Sequence, residues 1–570
     1  MKVSAMSGNG RRDAWIDLAW LLLCFAASAW WCVTAARALS ATFDEPLYLQ
    51  LGLQHWHTGA LKPLTRLGIL PLPTDVQALP LVLWEKWRGL TIDPDRDIVW
   101  ALPALRAGTL VFWGALLIYS GRTGRALAGP WAGRLAVALI ACEPVFLAHA
   151  TLCTSDLAVT ACLLAFFFEF AAHRERRWPG RLALPAVLFG AALLTKASAL
   201  VFGGIGMVAI ELVRWRSIAP PRVWRKWTLC FLRDTAIIGF GGLAVLLIYC
   251  GSDWKTEPTF IVWAKTLAPG FWHDTMLWLA EHLRIFSNGG EGLVQQIKHN
   301  FRGHGAYLLG REYPRAIWYY FPVALTIKTS LLLLALPIVV LVTRGRALWN
   351  WALLIALGLL LFSLNSRVQI GVRFMLPLLS CLAVGVAAAT IEAGRSLTAP
   401  IGRWILIAVV LAGIVGNVFA DVRVWPEALC FTNAAWGGTA TGYLRLSDSN
   451  YDWGQGLLEL EDWRQQHGIP EIDLWYFGTD PRASTTPFRR LLLNSNEWLH
   501  GRSPAEIGRG RCLAVSTTLL FGAYAKGTPA GRAAVAFFLA QNPTARTTTF
   551  FIYDFRGENL QASQQSAAAP

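Results

Sequence analysis

Long apolar segments recur along the chain and constrain its fold more than any other feature. The first runs from near Trp15 to Ala36, and comparable segments follow at intervals as far as residue 420. Segments of about 17–25 apolar residues have the length that an α-helix needs to cross the hydrocarbon core of a bilayer. With 55% apolar residues among 570, the chain also exceeds what a soluble core requires. The sequence therefore predicts an α-helical integral membrane protein.

The net charge of +15 could indicate either nucleic acid or a membrane as the partner. The positions of the basic residues distinguish the two. They fall mainly in short loops between apolar segments, which is the pattern of cytoplasmic loops in membrane proteins. The bilayer is therefore the expected partner, and nucleic acid is not. The loop residues that carry this interpretation are Arg122, Arg125, Arg174, Arg176, Arg177, Arg214, Arg216, Arg222, Arg225, Lys226, Arg344 and Arg346.

The loop charges predict about eleven transmembrane helices. The first apolar segment is long and rich in Trp for a cleaved signal peptide, so an uncleaved anchor is expected. The segment 181–213 is too long for one span and has a polar centre at Lys196, which predicts two short helices that turn there. The resulting organisation comprises a cytoplasmic tail at 1–14, a transmembrane catalytic domain at 15–420 with outer loops at 37–101 and 251–315, an outer domain at 421–556 and a disordered tail at 557–570.

The part of the chain after residue 420 changes character. Short or alternating apolar runs predict strands there, and two intervening segments look helical. A small soluble α/β domain is expected, and the parity of eleven spans places it on the outer side of the membrane. The predicted strands are Glu471–Phe477, Cys512–Thr518 and Thr549–Phe555, and the predicted helices are Trp463–Gly468 and Ala533–Gln541.

The cysteines and histidines give no sign of a metal centre. Ten cysteines occur without a Cys-x-x-Cys spacing, and most lie in apolar segments, where cysteine acts as a small hydrophobic residue. Cys430 and Cys512 fall on the predicted outer side, and their pairing is left open. Neither a metal nor a tightly bound cofactor is expected.

Carboxylates at the outer membrane boundary are the first candidates for chemistry. Asp44 and Glu45 follow the first apolar segment within Thr42–Pro46, and Asp156 opens a later one. Ionisable groups at membrane depth are costly and therefore suggest function. Each of Asp44 and Asp156 could instead cap a helix, because Asp is a favoured N-cap residue. Capping needs one short polar side chain and leaves Glu45 unexplained.

Three cations, Lys196, Lys328 and Arg373, are predicted at or just below the same outer boundary. Snorkelling to the interface is the alternative role for such residues. An anion clamp that holds a phosphate at headgroup level is the functional role. A carboxylate base on an acceptor, together with cations that neutralise a leaving phosphate, is sufficient for group transfer from a lipid phosphate without a metal.

Several motifs, taken in order, resemble the dolichyl-phosphate-mannose protein mannosyltransferase-like family. These proteins are phospholipid carrier-dependent glycosyltransferases of the GT-C fold, and their bacterial relatives include aminoarabinose transferases that act on lipid A. The motifs span about residues 40–555. They are Phe43-Asp44-Glu45-Pro46-Leu47-Tyr48, Thr154-Ser155-Asp156, Leu194-Thr195-Lys196, His304-Gly-Ala-Tyr307-Leu-Leu-Gly310, Trp318–Pro322 with Lys328-Thr329, Gly371-Val-Arg373-Phe-Met-Leu-Pro377 and Asp448-Ser-Asn450-Tyr-Asp452-Trp-Gly-Gln455.

The resemblance implies a GT-C membrane domain and a set of site residues. Asp44 would be the base, supported by Glu45 and Asp156. The residues expected to bind the polyprenyl-phosphate-linked sugar or the acceptor are Lys196, His304, Tyr307, Lys328, Arg373, Asp448 and Asp452. Many relatives carry a His-Pro-Pro block after the acid pair, whereas the corresponding stretch here, Leu70–Pro80, has prolines but no histidine.

The function expected from the sequence is therefore that of a bacterial inner-membrane glycosyltransferase. It would transfer a hexosyl or pentosyl group, with inversion, to a protein hydroxyl, a lipid or an envelope glycan outside the membrane. A secondary transporter would show internal symmetry, which the sequence lacks. A non-catalytic scaffold for envelope assembly is the second alternative, and it would tolerate Asp44→Asn.

Overall fold

The computed structural model describes residues 8–218 and 224–557. Most of the predicted tails, at 1–7 and 558–570, and the loop residue Arg222 lie outside these ranges. The first 424 residues are largely helical and contain one short hairpin. Their helices are α1 Gly8–Ala38, α2 Glu45–Thr58, α3 Lys62–Thr65, α4 Pro71–Arg88, α5 Ile98–Gly108, α6 Leu110–Ala128, α7 Pro130–Ala141, α8 Pro144–Ala150, α9 Ser155–His173, α10 Leu184–Thr195, α11 Ala199–Ile218, α12 Trp224–Cys250, α13 Pro258–Lys265, α14 Phe271–His282, α15 Gly289–Arg302, α16 Tyr320–Lys328, α17 Leu331–Arg344, α18 Trp351–Ser363, α19 Leu376–Ser396 and α20 Pro400–Val424.

The described ranges contain seven helices that are long and apolar enough to cross a membrane, or eight if the bent pair α7 and α8 forms one span. The chain is thus a multi-pass membrane protein, but the expected number of about eleven spans is not confirmed. Shorter apolar helices account for part of the difference, at 179–195 and 351–363. The seven are Arg12–Ala38, Ile98–Ala128, Ser155–His173, Trp224–Cys250, Leu331–Leu348, Val372–Ser396 and Pro400–Val424.

Breaks in the helices fall at proline and polar positions. The predicted turn at Lys196 is confirmed, because α10 ends at Thr195 and Lys196 adopts an extended backbone. The helices α7 and α8 meet at a 66° bend, where Pro144 begins the second helix and lacks the N–H that would continue the first. These breaks put polar side chains at the ends of helices, where a site can form.

The core of the membrane part surrounds α19. This helix is almost wholly buried and contacts α6, α7, α9, α17 and α18. Large apolar side chains such as Trp113, Phe166 and Phe321 fill the space between these helices and are fully buried. Such packing fixes the backbone at the N-terminal end of α19, where the segment that precedes it carries Arg373.

The C-terminal part forms a five-stranded sheet with helices, in the order β4-β3-β5-β7-β6. The central strand β5 is parallel to β3 and antiparallel to β7, with Leu513 opposite Tyr553. Apolar side chains from strands and helices, including Trp475 and Phe538, form its core. Its elements are α21 Leu457–Gln466, β3 Ile472–Trp475, β4 Phe488–Arg490, α22 Asn496–Leu499, α23 Pro504–Gly508, β5 Cys512–Ser516, α24 Thr517–Phe521, α25 Pro529–Ala540, β6 Ala545–Arg546 and β7 Phe550–Asp554, and the separate hairpin comprises β1 Ala306–Leu308 and β2 Arg311–Tyr313.

The three strands predicted from apolar runs are confirmed as β3, β5 and β7, and the two predicted helices as α21 and α25. The two edge strands, β4 and β6, were not predicted, because three and two residues are too few to show a period. All ten cysteines lie in the described ranges and are free thiols. Cys430 and Cys512 therefore do not pair in this structure.

Candidate active site

Asp44 lies immediately before α2 and does not cap it. Its side chain makes no capping hydrogen bond to the helix, so the alternative role considered from the sequence is not observed. The carboxylate instead accepts a hydrogen bond from Nη1 of Arg373 at 3.3 Å. About 30% of the Asp44 side chain is exposed, which leaves the carboxylate accessible to a molecule that enters from outside.

Asp156 holds the two cations of the site together. Its Oδ1 lies 2.5 Å from the Lys196 ammonium, and its Oδ2 lies 3.8 Å from Nη1 of Arg373. Thr154, and not Asp156, occupies the N-cap position of α9, and both oxygens of Asp156 face the cations. The structure brings together Asp44, Asp156, Lys196 and Arg373, which we call the acid–base cluster.

The acid–base cluster retains unused hydrogen-bond donors. Arg373 can donate five hydrogen bonds, yet its buried Nε has no partner. Its guanidinium lies over the indole of Trp453 at 4.1 Å, and the Lys196 ammonium lies over the ring of Phe374 at 4.2 Å. The aromatic faces stabilise the cations without using their N–H groups. An anionic ligand can therefore be bound without breaking the pairs with Asp156.

Tyr48 and His149 border the cluster and were not proposed as site residues. Tyr48 lies one helical turn after Asp44, and burial together with the nearby Asp44 raises the pKa of its phenol well above the usual value, so the phenol stays protonated. His149 is buried on α8, and its Nδ1 has no hydrogen-bond partner. Tyr48 stands in the quoted Phe43–Tyr48 motif, and this spacing was the signal that could have identified it.

The carboxylate of Glu45, a predicted catalytic residue, pairs with Arg106 and with no residue of the acid–base cluster in the described ranges. It is fully buried and forms a two-pronged ion pair with Arg106, at 2.9 Å to Nε and 2.6 Å to Nη2. The backbone N–H groups of Thr42 and Cys153 donate to the same carboxylate. Burial alone would raise the pKa of Glu45, but the Arg106 guanidinium and these donors hold it below the usual value. Glu45 thus fixes the backbone that presents Asp44.

Lys328, a predicted phosphate contact, is held by backbone carbonyls. Its ammonium is buried and donates to three backbone carbonyls, of Leu429 and Asn450 at 2.7 and 2.8 Å and of Phe431. An ammonium has three N–H donors, so these contacts use all of them. Lys328 joins the end of α16 to the segment after α20 and has no donor left for a ligand.

Asp452, a predicted binding residue, is likewise held by groups of the chain itself. It is fully buried, and its carboxylate accepts hydrogen bonds from the Thr518 and Gly454 N–H groups and from the Thr517 hydroxyl. Burial raises the pKa of Asp452 to about 6. The carboxylate therefore holds the Asp448–Gln455 segment against the start of α24.

His304, Tyr307 and Asp448 line one cavity of about 220 Å³ between the β1–β2 hairpin and the C-terminal domain. Asp448 is partly buried, and burial raises the pKa of its carboxyl to about 7. Ile370, three positions before Arg373, lines the same cavity, so the cavity adjoins the segment that carries Arg373. These three predicted residues thus lie beside the cluster and not inside it.

The Asp448–Gln455 segment contacts both chain segments that carry the cluster. The Ser449 hydroxyl donates to the Ile370 carbonyl at 2.7 Å, and the Asn450 carboxamide oxygen accepts from the Val372 N–H at 2.9 Å. Farther along, the Trp453 carbonyl accepts from the Phe43 N–H at 2.8 Å. The segment therefore fixes the backbone on both sides of the Asp44–Arg373 contact.

Within residues 8–218 and 224–557, no group of three or more His, Cys, Asp or Glu side chains is arranged to hold a metal ion. The charges of the cluster come from the chain itself, since Lys196 and Arg373 balance Asp44 and Asp156. The arrangement can bind an anion through the two cations while Asp44 accepts a proton.

No family model matches the chain, and no curated protein matches its sequence. Among solved structures, it is similar to ArnT from Cupriavidus metallidurans bound to undecaprenyl phosphate, at 14% identity over 94% of this chain and 97% of that chain, with a TM-score of 0.43. The apo state of ArnT gives 12% identity over the same shares and a TM-score of 0.46.

The archaeal oligosaccharyltransferase AglB from Archaeoglobus fulgidus, in complex with an inhibitory peptide and a dolichol-phosphate, is similar at 10% identity. The match covers 95% of this chain and 75% of that chain, with a TM-score of 0.44. ArnT and AglB are GT-C glycosyltransferases, the class that the sequence motifs resemble. These TM-scores lie below 0.5, so the similarity alone does not establish the function of this chain.

Proposed function

We propose that the protein is a membrane glycosyltransferase that moves a sugar from a polyprenyl-phosphate-linked donor to an acceptor on the outer side of the membrane. The observation that carries this proposal is the contact of a partly exposed carboxylate, Asp44, with the guanidinium of Arg373, whose buried Nε has no hydrogen-bond partner. Arg373 and Lys196 suit the phosphate of the donor, and Asp44 suits the acceptor.

The reaction follows as a single displacement. The acceptor hydroxyl or amine gives its proton to Asp44 as its oxygen or nitrogen attacks the anomeric carbon of the sugar. The bond from that carbon to the phosphate oxygen breaks on the opposite face, so the configuration inverts. The electron pair stays with the polyprenyl phosphate, whose added negative charge Arg373 and Lys196 stabilise.

The roles of the remaining residues follow from their contacts. Asp156 orients both cations and does not take the proton, because its two oxygens face Lys196 and Arg373. Glu45 and Arg106 position Asp44 from behind. The cavity beside Asp448 is proposed to receive the acceptor, whose hydroxyl or amine must approach Asp44 from outside the membrane. We propose the bacterial inner membrane as the location, with the C-terminal domain on its outer side, because the basic loops favour that orientation.

A transfer assay in membranes tests the proposal. Membranes that contain the wild type, Asp44→Asn or Asp274→Asn are supplied with radiolabelled polyprenyl-phosphate sugars, and the labelled product is identified. Asp274 is a matched control, since its carboxylate is highly exposed in the second outer loop. We expect transfer by the wild type and the control, and a loss on the order of 100-fold or more in Asp44→Asn. Full activity in Asp44→Asn, or no transfer from any donor, would contradict the proposal.

A further inference from the structure

A second charged site lies at the opposite end of the membrane part, away from the acid–base cluster. The start of α1, the end of α6 and the start of α7 enclose a cavity of about 170 Å³. Three arginines and one aspartate are among its lining residues: Arg122, Arg125, Arg134 and Asp17. We call this the arginine cavity.

The lower walls of the arginine cavity are apolar and face the bilayer. Leu18 on α1 and Ile118 on α6 line it, and both are exposed on the outer surface of the helix bundle. The floor is tight, because a Cβ on Gly133 would lie 2.6 Å from the Gly121 carbonyl oxygen. The cavity therefore combines charged side chains with exposed apolar side chains on helices long enough to cross a membrane.

Carboxylates orient the three arginines but do not use all of their N–H donors. Asp17 lies 2.7 Å from Arg134 Nε and also contacts Arg125, and Glu169 lies 2.9 Å from Arg122 Nη1. Between 40% and 50% of the Arg122 and Arg125 side chains is exposed. Each guanidinium has five N–H donors, so both keep donors that point away from their carboxylates.

We infer that the arginine cavity binds the phosphate of an anionic phospholipid, with an acyl chain along its apolar wall. Guanidinium groups suit phosphate oxygens, and basic pockets between transmembrane helices are sites for anionic headgroups. Trp15 and Trp131 are exposed on α1 and α7 beside the arginines, as expected where the bundle meets the headgroup layer. Asp17 is the carboxylate that competes with a lipid phosphate for Arg125 and Arg134, and Asp13 also pairs with Arg134.

Native mass spectrometry of the purified protein with phosphatidylglycerol, and with phosphatidylcholine of the same acyl chains, tests the inference. The wild type should retain phosphatidylglycerol preferentially. Arg125→Gln should retain about fivefold less of it. Arg344→Gln should behave as the wild type, because Arg344 is similarly exposed and paired, with Glu392, but lies outside the cavity. Equal retention of the two lipids, or an equal loss in Arg344→Gln, would overturn the inference.

Asp17→Asn separates a lipid site from a network of ion pairs. If phosphate occupies the cavity, removal of the competing carboxylate should increase the retention of phosphatidylglycerol. If the arginines serve only to pair with Asp17, the variant should retain no more phosphatidylglycerol than the wild type, and the inference fails. The last experiment adds inorganic phosphate as a competitor. If phosphate displaces the lipid as fully as excess phosphatidylglycerol does, the cavity is a site for free anions and the lipid assignment is overturned.

Discussion

The carboxylate of Asp44 and the guanidinium of Arg373 are in hydrogen-bond contact at 3.3 Å, although 329 positions separate them in the chain. One lies before α2 and the other before α19, so neither helix alone places them. The Asp448–Gln455 segment contacts the backbone beside both residues. The Asp44–Arg373 contact is thus assembled by three separate parts of the chain.

Glu45 and Asp44 should respond differently to loss of charge, although they are adjacent. Glu45→Gln leaves the fully buried Arg106 without its counter-charge, which we expect to cost about 3–5 kcal/mol of unfolding free energy. Asp44→Asn should leave stability nearly unchanged, because its carboxylate is partly exposed. Thermal unfolding in detergent measures both variants. An unfolding midpoint for Glu45→Gln equal to that of Asp44→Asn would contradict the structural role of Glu45.

Substitution of Lys196 and of Lys328 should have different effects. The Lys196 ammonium donates to Asp156, whereas the Lys328 ammonium uses all three of its donors on backbone carbonyls. Lys196→Gln should weaken donor binding by about tenfold or more through the loss of a phosphate contact. Lys328→Met should lower the unfolding midpoint, because three buried carbonyls lose their donor, while the donor KM of the folded enzyme stays the same. Titration of the donor against each purified variant provides the comparison. Unchanged turnover and donor affinity in Lys196→Gln would remove Lys196 from the site.

Asn450 should act on catalysis through the position of Arg373. Asn450→Leu removes the bonds to the Val372 N–H and to the Tyr320 hydroxyl, so we expect kcat/KM to fall about tenfold or more. Asn450→Asp keeps an oxygen for the Val372 N–H and should recover part of that loss. Asn496→Leu, at an exposed position of the same domain, is the control. No recovery in the aspartate variant would point to a general packing defect.

The helical membrane part could be predicted from the sequence because its apolar segments have a length that few other structures require. Asp44, Asp156, Lys196 and Arg373 could be selected from their depth and motifs, and the structure brings these four together. The roles of Glu45, Lys328 and Asp452 could not be predicted, since each depends on partners distant in sequence. Arg106 was missed for the same reason, although a charged residue inside an apolar segment is a signal that warranted a search for an acidic partner.

The C-terminal domain should lose stability as the pH rises. Burial, reinforced by the nearby Glu459, raises the pKa of Glu427 from 4.5 to about 8. The unfolded chain loses this proton at a lower pH than the folded protein, so the free energy of unfolding falls across that window and levels off above it. Glu427→Gln is neutral throughout. Its unfolding midpoint should match the wild type at about pH 5 and exceed it at about pH 9, with the exposed Glu497→Gln as the control.

Parallel measurement of donor affinity and turnover in Asp44→Asn and Arg373→Gln tests the central claim most directly. If Asp44 is the base, its variant should bind the polyprenyl-phosphate sugar about as well as the wild type and lose on the order of 100-fold or more in turnover. Arg373→Gln should lose affinity as well as turnover, because the proposed mechanism has Arg373 contact the phosphate in both the ground state and the transition state. Wild-type turnover in Asp44→Asn, or wild-type affinity and turnover in Arg373→Gln, would contradict the account.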